Sequence, residues 1–454
     1  MMQTSSPTQH QPAAGLDEFL AALHAAELFA PMQQARAEAI ATQASTAEEA
    51  SAALIEAGFL TQFQADRLLA GKTDGFHLGP YVILEQIGRG SIGRVFRARH
   101  RTMNRPAAVK VVAAEFTRTA AARQEFQKAI RAAAQLNHPN IVAAYDANEV
   151  ADRFYMVHEY IDGPSFATVV AERGPLPVSE ACTLVRQAAN GLAHAHERGM
   201  VHRDIKPTNL LVSRSSKSVP DPLVKIADFG IASLSPSPSA DCIAPECARN
   251  PEGADHRADL YSLGAVLYFL LAGRFPFPNG TRETKLQQHA LVEPLPVESL
   301  RPDLPPVLAA LVHQMLAKDP NDRPESAVEV AARLDAIAGG DPLRLDLPSV
   351  PPAPYPVIAG PLSNTCPMPP ARVLPATSFS ELFALSTPTP SPWEELTRDD
   401  DPRGEAATIE WISNSGTTSG EPRGLASWSI ALLASGMMVL CLLAVGIVVK
   451  TMGK

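Results

Sequence analysis

The chain has 454 residues, of which 46% are hydrophobic, so it is long enough for more than one compact region and apolar enough for a globular core. Its formal net charge of -9 provides no basic surface of the kind that nucleic acids require, which argues against nucleic acid as the main partner. The five cysteines are scattered and include no Cys-x-x-Cys pair, which argues against a disulfide framework or a zinc site and suits a reducing compartment.

The first part of the chain predicts a small helical module, which we assign to residues 1–78. Residues 1–20 are polar and Gln-rich rather than a basic stretch followed by an apolar run, so we expect no cleavable signal and a cytoplasmic start. Residues 15–72 repeat Ala, Leu and Phe at helical spacing, with turn signals at Gly58 and residues 71–75. They contain no cluster of reactive side chains, so a packing or docking unit is expected rather than a separate enzyme.

The middle of the chain changes to short β-strands and then to helices. Apolar stretches separated by turn residues predict strands at residues 81–87, 94–98, 107–112 and 155–160. Helical spacing predicts helices at residues 119–136, 178–198 and 258–272. The sequence therefore predicts an α+β fold in which a small β-rich lobe precedes a larger helical lobe, with a cleft between them.

The last part of the chain predicts a linker followed by a membrane span. Residues 341–424 are rich in Pro, Ser, Thr and Gly, which cannot bury enough surface to offset chain entropy and predicts an extended, disordered linker. Residues 425–449 carry no charge, and as a helix they would extend roughly 37 Å, enough for a hydrocarbon core of about 30 Å. A buried globular helix is the alternative, but little sequence follows that could cover it. We therefore expect a C-terminal transmembrane helix.

Five motifs follow one another in a fixed order between residues 88 and 246. They are Gly88-Arg-Gly90-Ser-Ile-Gly93-Arg-Val95, Ala-Ala-Val-Lys110, His202-Arg-Asp204-Ile-Lys206-Pro-Thr-Asn209, Asp228-Phe-Gly230 and Ala244-Pro-Glu246. A glycine-rich turn alone is a weak signal. The five motifs together indicate residues that bind a nucleoside triphosphate and its metal and orient an attacking hydroxyl.

The glycine-rich motif is expected to bind the nucleotide. Its missing side chains would let backbone N–H groups approach the phosphates, and a valine would pack on the adenine. Lys110 ends an apolar strand, and its burial makes sense with an anionic partner such as the α- and β-phosphates. The predicted nucleotide-binding residues of this region are Ile87, Gly88, Arg89, Gly90, Ser91, Gly93, Val95 and Lys110.

The remaining polar residues of the motifs are expected to perform the chemistry. Asp204 could accept the proton of the substrate hydroxyl, and Lys206 could stabilise the transferred phosphoryl group. Asn209 and Asp228 supply the oxygen ligands that Mg²⁺ prefers. The predicted catalytic residues are therefore Asp204, Lys206 and Asn209, and the predicted metal ligands are Asn209 and Asp228.

Residues 81–335 resemble a protein kinase domain, most closely that of the bacterial membrane-anchored serine/threonine kinases of the eukaryotic-like, Hanks-type family. The resemblance implies the bilobal kinase fold, with ATP and Mg²⁺ as cofactors, Mn²⁺ as an alternative, and protein serine or threonine hydroxyls as acceptors. It also implies an adenine-contacting hinge at Glu159 to Ile161, beside His158 in the gatekeeper position. Finally, it implies an ion pair between Glu246 and Arg323.

The same resemblance implies that Asp259 caps the catalytic loop and that autophosphorylation could use a homodimer. The expected span at residues 425–449 makes the chain a single-pass protein of the cell membrane, and the need for cytosolic ATP places the kinase domain in the cytoplasm.

Two positions depart from the family pattern. Ala129 stands where the family has the helix glutamate that pairs with the strand lysine, and Glu125, one turn earlier, is an alternative partner for Lys110. The segment between Gly230 and Ala244 is short. Its serines, at positions 233, 235, 237 and 239, could be autophosphorylated and held by an arginine, or could form a plain loop.

These observations lead to one expectation with one rival. We expect a serine/threonine protein kinase anchored to the membrane, acting in membrane-associated signalling. The rival is a membrane-tethered pseudokinase that senses nucleotide or serves as a scaffold, which Ala129 and the short segment favour and the intact polar motifs oppose.

Overall fold

The computed structural model describes residues 15–150, 153–214, 222–231, 239–250 and 253–339. The predicted linker and the predicted span at residues 425–449 lie outside these ranges. Among the residues that the structure describes, no helix has both the length and the apolar character needed to cross a membrane.

The N-terminal module is a cluster of four short helices. They are α1 (Leu16–Ala25), α2 (Pro31–Ala41), α3 (Ala47–Glu56) and α4 (Gln62–Leu69). Thr61 caps the start of α4: its side chain accepts from the backbone N–H of Gln64, while the Gln64 side chain accepts from the backbone N–H of Thr61. Gly58 turns the chain with a φ of +74°, which favours glycine. Phe19, Leu54 and Leu68 are completely buried in the small core that results.

The small lobe is a six-stranded antiparallel sheet. Its strands are β1 (His77–Leu78), β2 (Tyr81–Gly90), β3 (Gly93–His100), β4 (Pro106–Val112), β5 (Ala144–Val150) and β6 (Arg153–Glu159), in the order β1-β2-β3-β4-β6-β5. Helix α5 (Ala120–Ala133) follows β4 and buries Phe126 against the sheet. The strands that the sequence predicted are present, and β5 is an additional edge strand that the sequence pattern did not indicate.

The large lobe is helical and carries a two-stranded hairpin. Its elements are α6 (Phe166–Arg173), α7 (Val178–His196), β7 (Leu210–Val212), β8 (Val224–Ile226), α8 (Pro245–Arg249), α9 (Arg257–Ala272), α10 (Arg282–Leu291), α11 (Val297–Leu300), α12 (Pro306–Met315) and α13 (Ala327–Ala338). Helix α9 is buried on nearly all sides and packs against α7, α8, α11 and α12. The two predicted helices of this lobe correspond to α7 and α9, and they form the base on which the catalytic segment rests.

The N-terminal module contacts the small lobe directly. The ring of Phe63 on α4 lies 6.2 Å from the ring of Phe96 on β3. The side chain of Gln64 donates to the carbonyl of Ile83 on β2, and His77 forms a hydrogen bond with the carbonyl of Ala26. The module and the sheet are therefore joined by both apolar and polar contacts.

Candidate active site

A cleft of about 660 Å³ opens between the two lobes. Eight of the residues predicted from the motifs line it: Ile87, Gly88, Val95, Lys110, Glu159, Ile161, Asn209 and Asp228. The cleft therefore brings together residues that are separated by up to 141 positions in the chain.

The glycine-rich motif forms the turn between β2 and β3. A Cβ atom at Gly93 would lie 1.9 Å from the carbonyl oxygen of Val111, so the close approach of the hairpin to β4 requires glycine there. A Cβ atom at Gly90 would lie 3.4 Å from Nζ of Lys110. Arg89 and Ser91 are exposed on the same hairpin and do not line the cleft. The hairpin thus offers bare backbone beside the buried lysine.

Lys110 and Asp228 form an ion pair inside the cleft, with 2.6 Å between Nζ and Oδ1. Only 4% of the Lys110 side chain is exposed, so each charge needs the other. Burial would raise the pKa of Asp228, but Lys110 outweighs it and the pKa lies below its usual value. Asp228 also has a φ of +70°, a strained conformation for a residue with a side chain and one that clusters at active sites.

The alternative in which Glu125 pairs with Lys110 is wrong. The Glu125 side chain is 66% exposed, and its charged neighbour is Lys128 at 4.0 Å. The helix turns Phe126 inward instead, where its ring meets that of Phe154 at 5.3 Å. Asp228 is therefore the carboxylate that Lys110 contacts in this structure.

Ala129 lies against the Asp-Phe-Gly turn. A Cβ atom at Gly230 would come within 2.9 Å of the carbonyl oxygen of Ala129, so helix and turn are in close contact. Ala129, Met156, His158 and Gly230 are among the residues that line a small pocket, and His158 also lines the cleft. Burial, together with the nearby charge of Lys110, lowers the pKa of His158 to about 4, which keeps this imidazole neutral at pH 7.

Asp204 is held by hydrogen bonds within the catalytic loop, residues 202–209, and from the segment that follows Gly230. Its Oδ2 accepts from Nζ of Lys206 at 2.7 Å, and its Oδ1 accepts from the backbone N–H of Ser239 at 3.2 Å. Asn209 donates from Nδ2 to the carbonyl of Asp204 at 2.9 Å. Because Asn209 also lines the cleft, Asp204 and Lys206 lie at its margin although they are not part of its lining.

Asp259 at the start of α9 supports this loop from below. Its two carboxylate oxygens accept from the backbone N–H groups of His202 at 2.8 Å and Arg203 at 2.7 Å, as well as from Nε2 of His196 at 2.8 Å. Burial would raise the pKa of Asp259, but its hydrogen bond to His196 helps to lower it below its usual value. Arg203 has a φ of +65°, so these bonds hold a strained backbone in place.

Glu246 and Arg323 form the expected ion pair in the large lobe. The two groups meet in a bidentate arrangement at 2.5 and 2.8 Å, and the Arg323 side chain is fully buried. The neighbouring thiols of Cys242 and Cys247 are buried, and burial raises both pKa values, that of Cys247 to about 12. These thiols are therefore protonated at pH 7, which does not favour a redox role.

Two contacts hold the end of the short segment between Gly230 and Ala244. Asp241 pairs with Lys285 on α10 at 2.5 Å, and its backbone N–H donates to the hydroxyl of Ser239 at 3.4 Å. The serines at positions 233, 235 and 237 lie outside the described residues. The phosphorylation hypothesis for them therefore stays a prediction.

The donor atoms of the cleft fit a magnesium-bound nucleotide. Asn209 and Asp228 offer hard oxygen ligands, and two protein ligands are what Mg²⁺ uses when phosphates and water complete its shell. The Glu159 side chain pairs with Lys225 at 2.8 Å, away from the cleft, so the hinge can present backbone groups to a base. The exposed backbone of the glycine-rich hairpin and the charge of Lys110 suit phosphate oxygens.

Tyr160 lies within the expected hinge, and the predicted site residues did not include five others that line the cleft: Ala108, Val142, Thr208, Leu211 and Ala227. One of them could have been found from strand alternation, because Ala108 stands two residues from Lys110 on β4. Val142 carries no such signal, since it follows α5 in an irregular segment and reaches the cleft through its backbone bond to Ile226.

Comparison with known proteins agrees with this geometry. The sequence profile of the protein kinase domain matches residues 81–333. The chain is 34% identical over 277 residues to the serine/threonine-protein kinase PknB of Mycobacterium leprae, a match that covers 58% of this chain and 43% of that protein. It is also 34% identical over 273 residues to the serine/threonine-protein kinase pkn2 of Myxococcus xanthus, covering 57% of this chain and 32% of the relative. The chain thus spans less than half the length of these relatives.

A solved structure gives the same result for the fold. A double mutant of the PknI kinase domain of Mycobacterium tuberculosis aligns with a TM-score of 0.50 and 29% sequence identity, covering 58% of this chain and 98% of that domain. The order of the motifs, the bilobal fold and the profile match over more than half of the residues lead to one conclusion: the chain belongs to the protein kinase domain family.

Proposed function

We propose that this chain is a serine/threonine protein kinase that transfers the γ-phosphoryl group of ATP to protein hydroxyls. The observation that supports the proposal best is the ion pair of Lys110 with Asp228 in a cleft that also contains Asn209. Each of these buried polar groups has a use in binding a metal-bound triphosphate, and a buried lysine and carboxylate are otherwise costly. Lys206 beside Asp204 favours serine and threonine acceptors over tyrosine.

Each polar residue of the cleft and the catalytic loop has a separate role in phosphoryl transfer. Asp204 accepts the proton of the substrate hydroxyl while the hydroxyl oxygen bonds to the γ-phosphorus. At the same time the bond between that phosphorus and the oxygen bridging it to the β-phosphate breaks. Lys206, at 2.7 Å from Asp204, is placed to offset the charge of the transferred group. Lys110 would bind phosphate oxygens, and Asp228 and Asn209 would provide the protein oxygens that hold the metal. The metal supplies charge neutralisation when bound.

The experiment that tests the proposal is phosphate transfer from γ-labelled ATP by the full-length chain. Wild type should label serine and threonine in itself or in a general acceptor protein, and Asp204→Asn should abolish the labelling. Asp335→Asn is the matched control, because it makes the same change at a carboxylate that is 61% exposed on α13. If wild type and Asp204→Asn both bind ATP and neither transfers phosphate with Mg²⁺ or Mn²⁺, the chain is a pseudokinase.

The pseudokinase alternative depends on Ala129, which removes the usual partner of the strand lysine. The contact between Lys110 and Asp228 weakens this argument, because the lysine is held in the cleft without a helix glutamate. We propose Mg²⁺ as the metal and keep Mn²⁺ as the alternative, because the oxygen donors of Asn209 and Asp228 suit both ions. Comparing the transfer rates with each ion tests this choice.

We also propose that residues 425–449 anchor the kinase to the cell membrane with its catalytic domain in the cytoplasm. The proposal rests on the length and lack of charge of this segment and on the need for cytosolic ATP. Protease added outside intact cells should leave the kinase domain whole, and its digestion would reverse the orientation. A homodimer for autophosphorylation belongs to the same proposal, and a dilution series of the labelling rate would detect it.

A further inference from the structure

The N-terminal helical module touches the strand that carries the glycine-rich hairpin. Strand β1 pairs with β2 only at His77 with Val82 and Leu78 with Tyr81. Beyond this pairing, the same edge of β2 contacts the N-terminal module instead of another strand. Nε2 of Gln64 donates to the carbonyl of Ile83 at 2.8 Å, and the N–H of Ile83 donates to the carbonyl of Phe76.

The contact falls at an irregular point of β2. The register with β3 shifts between Ile83 and Glu85, so Leu84 is the extra residue of a β-bulge. The hydroxyl of Thr61 donates to the carbonyl of Leu84. A bulge bends its strand and increases the local twist, so it sets the direction in which the strand continues. Thr61 and Gln64 thus fix the backbone at a bend four residues before Gly88.

The same point is linked to the hinge. Glu85, directly after the bulge, pairs with Nε of Arg97 on β3 at 2.6 Å. The Arg97 guanidinium lies 6.0 Å from the centre of the Tyr160 ring, and Tyr160 lines the nucleotide cleft. Arg97 is 96% buried, so it has little freedom to move independently of its neighbours. These contacts connect α4 with two parts of the cleft lining, the hairpin strand β2 and the hinge residue Tyr160.

We infer that Thr61 and Gln64 are positioning residues for nucleotide binding, through which the N-terminal module sets the affinity of the kinase for ATP. This inference rests on the proposed function. Gln64 is 3% exposed, and its carbonyl partner would be left without a donor if the amide were removed. The module is thereby a part of the small lobe that regulates its hairpin and hinge, in addition to being a packing unit.

The test compares Gln64→Leu with Gln62→Leu in the full-length chain. Gln62 lies two residues earlier on α4, is exposed and bonds only to Asp66 within the contacts described, so it makes a matched control. Gln64→Leu should raise the KM for ATP and the Kd of a fluorescent ATP analogue by roughly three- to tenfold, a fraction of what one buried hydrogen bond is worth. The kcat at saturating ATP should change little, and Gln62→Leu should match wild type.

A second pair of variants keeps the inference testable if Gln64→Leu fails to fold. Thr61→Val removes the hydroxyl with little change of shape and should also weaken ATP binding, whereas Thr61→Ser keeps the hydroxyl and should restore it. A lower melting temperature with unchanged Kd and KM would mean that the module only stabilises the lobe, and would overturn the inference. If wild type itself bound no ATP analogue, that result would contradict the proposed function, and with it the inference that depends on it.

Discussion

Asp259→Asn should weaken both the fold and the catalytic loop. Asp259 is completely buried, and its Oδ2 accepts two hydrogen bonds while its Oδ1 accepts the third, from Arg203. An asparagine keeps one acceptor oxygen and turns an N–H₂ group towards the remaining donor. At least one charge-assisted bond is lost, and the others become bonds to a neutral group.

The size of the effect follows from these bonds. A hydrogen bond to a charged group contributes about 1.5–3 kcal/mol, so losing one and weakening two should lower the free energy of unfolding by about 3–5 kcal/mol. Total stabilities are about 5–15 kcal/mol, so the variant should remain folded at 25 °C unless the wild type is at the low end. The strained φ of Arg203 would relax, and the neighbouring Asp204 would lose its alignment. We expect kcat to fall by about tenfold or more through this misplacement.

Urea unfolding and phosphate transfer by the full-length chain measure the two effects. Asp255→Asn is the control, because it makes the same change four residues earlier at a carboxylate that is 56% exposed. If Asp259→Asn kept the unfolding midpoint and kcat of that control, other contacts would have to hold the loop, and the reasoning would be refuted.

Three further predictions concern the region behind Lys110 and the large lobe. Ala129→Glu places a carboxylate at the pocket lined by Ala129 and His158, where it can share Lys110 and release Asp228 for the metal. The value of kcat/KM should therefore rise by about three- to tenfold. An unchanged value would mean that the lysine needs no such partner. Burial and the charge of Lys318 lower the pKa of His289 in the folded state to about 4 from 6.5, so the unfolded chain binds the proton first. The contribution of His289 to stability should therefore be complete above pH 6.5 and be lost towards pH 4, by about 3 kcal/mol. Urea unfolding at several pH values measures this loss, which should be smaller in His289→Gln, and equal slopes would contradict it. Glu246→Gln leaves the buried Arg323 charge without a carboxylate and should cost about 2–4 kcal/mol in urea unfolding. A loss below 1 kcal/mol would show that the hydrogen bonds from Arg323 to the carbonyls of Ala317 and Arg257 suffice.

The sequence predicts the core of the active site because its motifs combine unusual residue types with fixed spacing. A lysine at the end of an apolar strand and an Asp-Phe-Gly turn 118 residues later point to one buried site, and the structure brings them to 2.6 Å. The sequence could not predict that Asp228 would be the partner of the lysine, because that depends on how closely α5 packs against Gly230. The exposed position of Glu125 follows from the burial of Phe126 on the same helix.

Other features have no sequence signal. Strand β5 lies at the edge of the sheet beside β6 and mixes apolar with polar residues without regular alternation, so the sequence pattern does not mark it. The bulge at Leu84 depends on the pairing register with β3, and Gln64 reads as an ordinary polar residue of a helix. Its buried bond to Ile83 joins residues 19 positions apart in different units of structure, which a local pattern cannot reveal.

The most direct test of the account is the affinity of the full-length chain for ATP with Mg²⁺ and with a chelator, for wild type and Asp228→Asn. The asparagine keeps an oxygen near Lys110 but removes the charge that would bind the metal. Wild type should bind ATP more tightly when Mg²⁺ is present, and Asp228→Asn should lose that difference. A variant that kept the full magnesium dependence would contradict the claim that Asp228 and its cleft bind a metal-bound triphosphate.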